Sequence, residues 1–132
     1  MQCRNLRFVV HKHKAKKAGL HYDLRIQKCN EKMLQSYAIR KGIPLKTGEK
    51  HLAIRTPDHE WLWLNFQGEI PEGEYGAGTI EIWDKGKCDL VYEKKNVKLY
   101  DFHGKKMKGL YALVHLKGDS YLIVKSKHSK SE

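Results

Sequence analysis

Apolar residues in this chain fall into short runs and period-two alternations, and no stretch carries the sustained 3.6-residue apolar period of a long helix. Phe8-Val9-Val10 is the first run. Residues 20–27 and 33–39 alternate as strands, the second ended by Lys41-Gly42-Ile43-Pro44. His51-Leu52-Ala53-Ile54-Arg55 alternates again, with Leu52 and Ile54 on one side and His51 and Arg55 on the other. Thr79-Ile80-Glu81-Ile82-Trp83 is a clear strand, and Asp84-Lys85-Gly86 after it predicts a turn. Residues 98–102, 109–116 and 120–125 continue the pattern, with Lys117-Gly118-Asp119 as a hairpin turn. Between these, residues 14–17 closed by Gly19 read as a basic loop, and Pro57-Asp58-His59-Glu60 as a polar turn. The glycine-rich segment 68–78 reads as a structural turn feeding the Thr79 strand. Many short strands with frequent glycine turns predict a mostly β protein, a compact single-domain β-barrel with short flanking helical or loop segments. One domain spans residues 1–132, with an ordered core at about 4–126 and looser ends, the last at residues 127–132.

Charge changes the picture more than length does. At 132 residues and 40% hydrophobic content, one modest core is expected. With 26 Lys+Arg against 15 Asp+Glu, the net charge of +11 should attract polyanions, nucleic acid first among them. The lysines are spread along the whole chain, so a merely solvated basic surface gives the same total. Cys3, Cys29 and Cys88 are odd in number, far apart and without a CxxC pair. They indicate neither a thiolate zinc site nor a disulfide framework, and a reducing cytoplasmic setting is expected. No signal-peptide core or membrane-length apolar run occurs, so a soluble protein with no membrane partner is expected.

The densest candidate chemistry is His21-Tyr22-Asp23-Leu24-Arg25. On a strand, His21, Asp23 and Arg25 share one face. His13 lies a short loop upstream, and two imidazoles with a carboxylate favour Mn, Fe, Co or Zn over Mg alone. His11, two residues from His13, competes as a ligand. Arg25 offers a planar fork for two phosphate oxygens, or else simply pairs with Asp23. His59 is placed either to move a proton at a leaving oxygen or to stabilise phosphoryl charge, against the simpler role of a turn histidine bonded to Asp58. The loop 68–78 is neither a Walker loop nor a dinucleotide fingerprint, and its acidic residues oppose phosphate binding. Trp61, Trp63, Tyr75 and Trp83 are candidates for base stacking or for packing, with packing favoured for Trp83.

In order along the chain come Phe8-Val9-Val10-His11-Lys12-His13, Leu20-His21-Tyr22-Asp23-Leu24-Arg25, Tyr37-Ala38-Ile39-Arg40-Lys41-Gly42, Asp58-His59 and the run from Phe66 through Gly-Glu-Ile-Pro-Glu-Gly-Glu-Tyr-Gly-Ala-Gly to Thr79. This series, followed by Trp83-Asp84-Lys85-Gly86 and Tyr121-Leu122-Ile123-Val124-Lys125, resembles the 3′-phosphoesterase module of bacterial DNA ligase D in a free-standing form. The resemblance covers nearly the whole chain. It implies a β-barrel holding Mn²⁺, with Co²⁺ or Zn²⁺ as substitutes, and removal of 3′-terminal ribonucleosides and 3′-phosphates from DNA ends to leave a 3′-hydroxyl. It further implies His13, His21 and Asp23 as metal ligands, and Arg25, His59 and Lys41 as catalytic groups at the phosphate. His51, Arg55 and Trp63 would join these three in binding substrate. DNA 3′ ends would be the partner of a monomer, with a repair ligase and polymerase acting in trans. Three departures stand out. Residues 14–20 are two longer than in many members, which leaves His11 as an alternative to His13. Trp63 stands where a tyrosine is common, and His51 where an arginine handles phosphate, with Lys50 or Arg55 as its replacement. These departures raise the alternative of a member with only the diesterase or only the monoesterase step, beside that of a non-catalytic basic nucleic-acid-binding module.

Overall fold

Alternation in the second strand sends Leu24 and Ile26 into a fully buried interior and turns His21, Asp23 and Arg25 to the opposite face. The same division runs along the neighbouring strands and sets the architecture. The computed structural model of the chain describes residues 2–126. Among these, nine strands form: β1 (Cys3–Ala15), β2 (Gly19–Gln27), β3 (Met33–Ile39), β4 (Lys50–Glu60), β5 (Gly68–Ile70), β6 (Gly78–Lys94), β7 (Val97–His103), β8 (Lys108–Lys117) and β9 (Ser120–Lys125). They hydrogen-bond in the order β1-β2-β3-β4-β9-β8-β7-β6-β5, and β6 pairs back onto β1. That last pairing closes an antiparallel barrel and leaves only β5 outside the ring, attached to the start of β6. The helical content among the described residues is a single 3-10 turn, Trp61–Asn65. None of the described helices is long and apolar enough to cross a membrane.

Apolar residues occupy both sides of one wall. Inside, Phe8, Val10, Leu24, Ile26, Tyr37, Tyr100, Phe102 and Tyr111 fill the barrel. Outside, Val9 and Leu34 pack with Leu64, Trp61, Trp63 and Ile82 under the 3-10 turn. The chain from Trp61 to residue 77 is therefore held against the outer surface of β1–β3 by its own small core, and a cleft forms beneath it.

Several sequence expectations need correction. Asp84-Lys85-Gly86 is not a turn, because β6 runs through it. The Asp84 carboxylate instead accepts the backbone N–H groups of Lys85, Lys105, Lys106 and Met107 at 2.8–3.0 Å, pinning the β7–β8 turn. Gly86 serves close approach: a Cβ there would sit 2.8 Å from the His103 carbonyl oxygen. The basic loop is shorter than expected, since Lys14 and Ala15 still belong to β1. His59 lies at the end of β4 rather than in a turn, opposite Leu34 of β3. Segment 68–78 is in part a strand, β5. The N-terminus is strand from Cys3 onward, whereas residues 127–132 lie outside the described residues.

The largest correction is covalent. Cys3 and Cys29 form a disulfide, with Cα atoms 6.0 Å apart, and Cys88 is the buried free thiol. Distance in sequence hid the pair; the antiparallel register Phe8↔Ile26 brings the two ends of the β1–β2 hairpin together. The bond is at odds with the reducing setting expected from the cysteine count. For a closed loop with a separation of 26 residues, chain entropy predicts that reduction lowers the unfolding free energy by about 3.5 kcal/mol. Urea denaturation with and without a thiol reductant checks this.

Candidate functional site

The site begins with the β1–β2 register. His13 lies directly opposite His21, and His11 opposite Asp23, so four polar side chains meet on the outer face of one hairpin. All four are buried. His13 Nδ1 is 3.1 Å from Asp23 Oδ2, and His21 Nε2 is 3.3 Å from Asp23 Oδ1. The other nitrogen of each ring faces a backbone carbonyl: His13 Nε2 lies 2.8 Å from the Gly76 oxygen, and His21 Nδ1 3.2 Å from the Gly19 oxygen. A carbonyl only accepts, so those nitrogens carry the protons. In the neutral rings, the lone pairs of His13 Nδ1 and His21 Nε2 are then turned toward the Asp23 carboxylate. Three acceptors facing one another are reconciled by a cation between them, either a metal ion or the added protons of the imidazolium forms.

A divalent transition-metal ion fits this donor set. Ligands about 2.1 Å from a metal and at right angles are about 3.0 Å apart, close to the separations here. Outer N–H groups donated to carbonyls are the usual support for metal-bound imidazoles. With no metal bound, the same contacts act as hydrogen bonds from protonated rings to the carboxylate. Burial alone would raise the Asp23 pKa, but the bonds from His13 and His21 and the charge of Arg25 outweigh it and hold the carboxyl far below its ordinary value. The hydrogen bond to Asp23 raises the His21 pKa against the effect of burial.

Arg25 is the second hub. Its Nε donates to His11 Nδ1 at 3.1 Å, Nη1 to Ser36 Oγ at 3.2 Å, and Nη2 approaches Asp23 Oδ2 at 3.5 Å. The guanidinium also lies 5.2 Å from the centre of the Trp63 ring. Asp23 therefore faces both the histidines and Arg25. His11, the alternative ligand, has both nitrogens committed, one to Arg25 and the other, Nε2, to the Phe66 carbonyl at 3.0 Å.

Burial, and then the Arg25 charge, push the His11 pKa down to about 4. Its folded pKa lies below the unfolded value of 6.5, so acid protonates the unfolded chain first. This contribution to stability, about 3 kcal/mol, is complete above pH ~6.5, declines as the pH falls and is gone below pH ~4. His11→Gln keeps an acceptor for Arg25 and is expected to flatten that part of the stability–pH curve in chemical denaturation.

His59 and Trp63 complete this wall. His59 Nδ1 donates to the Pro57 carbonyl at 2.8 Å and lies 3.2 Å from Ser36 Oγ, leaving Nε2 without a partner among the described residues. Burial and the nearby Arg25 lower its pKa, so it is a neutral imidazole at neutral pH. Trp63 stacks edge-on with His59 at 5.2 Å. Asp58 is not the partner of His59; it pairs with Lys28 and Arg55.

A cleft of about 1360 Å³ is lined by His13, His21, Asp23, Arg25, His59 and Trp63 and extends past them. Lys41 and His51 line it. His51 is turned into the wall, with Nδ1 2.6 Å from the Gly42 carbonyl and Nε2 3.1 Å from Glu49 Oε2, so it holds the turn that carries Lys41. Arg55 is not brought to the cleft. Strand alternation puts it on the same side as buried Ala53, where it lies over Tyr37 and donates to Asp58 at 2.8 Å. Leu52 and Ile54 face the cleft instead.

Sequence reasoning missed Ser36, which links Arg25 to His59. The available signal was the one serine in the strand 33–39. It also missed the Gly19 and Gly76 carbonyls. Segment 68–78, expected to be structural only, supplies the acceptor that orients His13.

Comparison with known proteins gives a consistent result. A family model described as the DNA Ligase D 3′-phosphoesterase domain matches residues 11–115. Relatives named "Multifunctional non-homologous end joining protein LigD" include one from Mycolicibacterium smegmatis, 37% identical over 138 residues and 96% of this chain. One from Mycobacterium bovis is 37% identical over 129 residues and 95% of the chain. Another, from Pseudomonas aeruginosa, is 33% identical over 135 residues and 96% of the chain. The aligned region is 18%, 16% and 16% of these three relatives, so the chain spans under a fifth of their length.

Proposed function

Because the chain belongs to the DNA ligase D 3′-phosphoesterase domain family, we propose that it is a metal-dependent 3′-end-healing phosphoesterase, which removes 3′-terminal ribonucleosides and 3′-phosphates from DNA ends and leaves a 3′-hydroxyl. One observation carries the metal-dependent part. Two imidazoles, their outer N–H groups tied to Gly19 and Gly76, turn lone pairs toward a buried carboxylate beside a buried guanidinium. His13, His21 and Asp23 would hold the ion, with Mn²⁺ first and Co²⁺ or Zn²⁺ as substitutes. When bound, such an ion polarises a phosphoryl oxygen and lowers the pKa of coordinated water.

The chain's own groups would do the rest. Arg25 has five N–H donors, of which three are engaged within the site, so one remains on each of Nη1 and Nη2 for phosphate oxygens. His59 is proposed to accept or return a proton at Nε2. Lys41 adds charge at the same group, its turn held by His51. Leu52 and Ile54 give the terminal sugar and base an apolar floor. The substrate would be broken DNA ends, as the name of the relatives suggests for them, with ligation and synthesis done by other modules or partners.

The test is a labelled primer-template ending in one ribonucleotide, incubated with Mn²⁺ or with EDTA. Metal-dependent shortening to a 3′-phosphate and then a 3′-hydroxyl is expected. Equal cleavage in EDTA, or salt-sensitive binding with no cleavage, would overturn the proposal. A second reading has its own observation. Trp63 offers no hydroxyl, and both nitrogens of His51 are turned into the wall. Products that stop at the 3′-phosphate would assign the chain the diesterase step alone.

A further inference from the structure

Residues 69–77 line the cleft together with Arg25, His59 and Trp63, and their own composition limits what they can do there. Apart from glycine, apolar side chains and three glutamates, this segment holds one residue, Tyr75. Ionised carboxylates only accept hydrogen bonds, and they repel a phosphate. One of them, Glu72, is turned toward Lys16, with Oε1 3.4 Å from Nζ. The Tyr75 phenol is therefore the single side chain of the segment that can donate a hydrogen bond to an anion in the cleft.

The backbone around Tyr75 is tied down, while its side chain takes no part in the tying. The Ala77 N–H donates to the Glu74 carbonyl at 3.1 Å, and the Ala77 carbonyl accepts the Lys16 N–H at 2.9 Å. Gly73 and Gly76 take left-handed backbone (φ 91° and 80°) on either side of Tyr75. The Gly76 carbonyl is the one that meets His13 Nε2 at 2.8 Å, so Tyr75 stands one residue from a contact that orients a candidate metal ligand. Its own side chain is 83% exposed, more than any other large apolar side chain among the described residues. It makes no hydrogen bond and no aromatic contact among them. Of the two roles open to Tyr75 from sequence, packing is therefore excluded, and a phenol on a fixed segment faces the cleft unused. It is also close to the phosphate-binding group. Burial lowers the Arg25 pKa, and of the two groups that act against this, Asp23 is the first and Tyr75 the second.

We propose that Tyr75 is a further catalytic residue of this site, its O–H donating to a phosphoryl oxygen of the substrate that Arg25 holds. The inference rests on the phosphoesterase reading above and adds a residue to it. Arg25 keeps two N–H donors free for phosphate oxygens. The phenol supplies a third donor from a different segment of the chain. Charge builds on the phosphoryl oxygens as the reaction proceeds, so a donor placed there stabilises the transition state more than the bound substrate. The segment 69–77 then has two tasks, holding His13 through a carbonyl and meeting substrate through a hydroxyl.

The test compares the full chain with Tyr75→Phe, which removes the hydroxyl and keeps the ring, and with Tyr75→Ala. The substrate is a 3′-phosphate oligonucleotide with Mn²⁺, cleaved in single turnover with the protein in saturating excess. Tyr75→Phe should slow cleavage at least about tenfold, as expected for the loss of one hydrogen-bond donor to the reacting group. Tyr75→Ala should match it within about threefold. Mn²⁺ affinity by calorimetry and Tm should stay as in the unaltered chain, because the exposed hydroxyl touches neither the candidate ligands nor the core. A Tyr75→Phe rate within about threefold of the unaltered chain, with Tyr75→Ala far slower, would assign the ring to stacking on a base and overturn the proposal. Rate and Mn²⁺ affinity falling together in Tyr75→Phe would also overturn it, since the effect would then run through Gly76 and His13. No cleavage by the unaltered chain overturns the phosphoesterase reading and this proposal with it, whereas cleavage that Tyr75→Phe leaves intact overturns this proposal alone.

Discussion

Asp23→Asn is expected to lower metal-dependent cleavage by about a thousandfold or more, while the protein stays folded. The carboxylate is the one anion facing both His13 and His21, at 3.1 and 3.3 Å, and it also faces Arg25. Asparagine keeps the volume and one acceptor oxygen but removes the full charge. A divalent cation then meets two neutral imidazoles and an amide beside a guanidinium, and its occupancy collapses. A thousandfold corresponds to about 4 kcal/mol of transition-state stabilisation, within the range for loss of a principal electrostatic group. Single-turnover cleavage of a 3′-phosphate oligonucleotide, with Mn²⁺ affinity measured by calorimetry, tests both halves. Metal affinity and rate should fall together. A fall in rate at unchanged metal affinity would remove Asp23 from the ligand set.

Arg25→Lys should cost about a hundredfold in rate, mostly in kcat. The guanidinium is held by His11, Ser36 and Asp23, and Trp63 flanks it. One donor on each terminal nitrogen is left without a partner among the described residues, enough to meet two phosphate oxygens. Lysine keeps the charge but presents a single ammonium. It cannot hold His11 and Ser36 and also meet two oxygens. Charge alone would preserve most of the rate, so this substitution separates geometry from electrostatics. A loss of threefold or less would mean that Arg25 acts only as a counter-charge to Asp23.

Much of this arrangement was legible in the chain because period-two alternation is a local property. His21, Asp23 and Arg25 share a face for the same reason that Leu24 and Ile26 share the other. Ordered motifs carried the family assignment. What escaped was set by contacts distant in sequence. Asp84-Lys85-Gly86 has turn chemistry, but its carboxylate is used by backbone more than 20 residues later. His51 and Arg55 looked equivalent by alternation, yet an irregular turn at Gly42 captures one and Asp58 the other. Cys3 and Cys29 could be paired only once the hairpin register was known. The outer apolar layer of Val9, Leu34 and Leu64 was invisible because a period-two pattern does not say which side is wet.

The disulfide also changes what kind of object the site is. The bond from Cys3 to Cys29 encloses His11, His13, His21, Asp23 and Arg25 within one macrocycle. Ring closure keeps the mutual distances of the candidate ligands short even after the rest of the barrel has opened. Their effective concentration toward one another then stays high in the unfolded chain. An oxidised chain therefore starts refolding with β1 already tethered to the end of β2, whereas a reduced one must close that loop afresh.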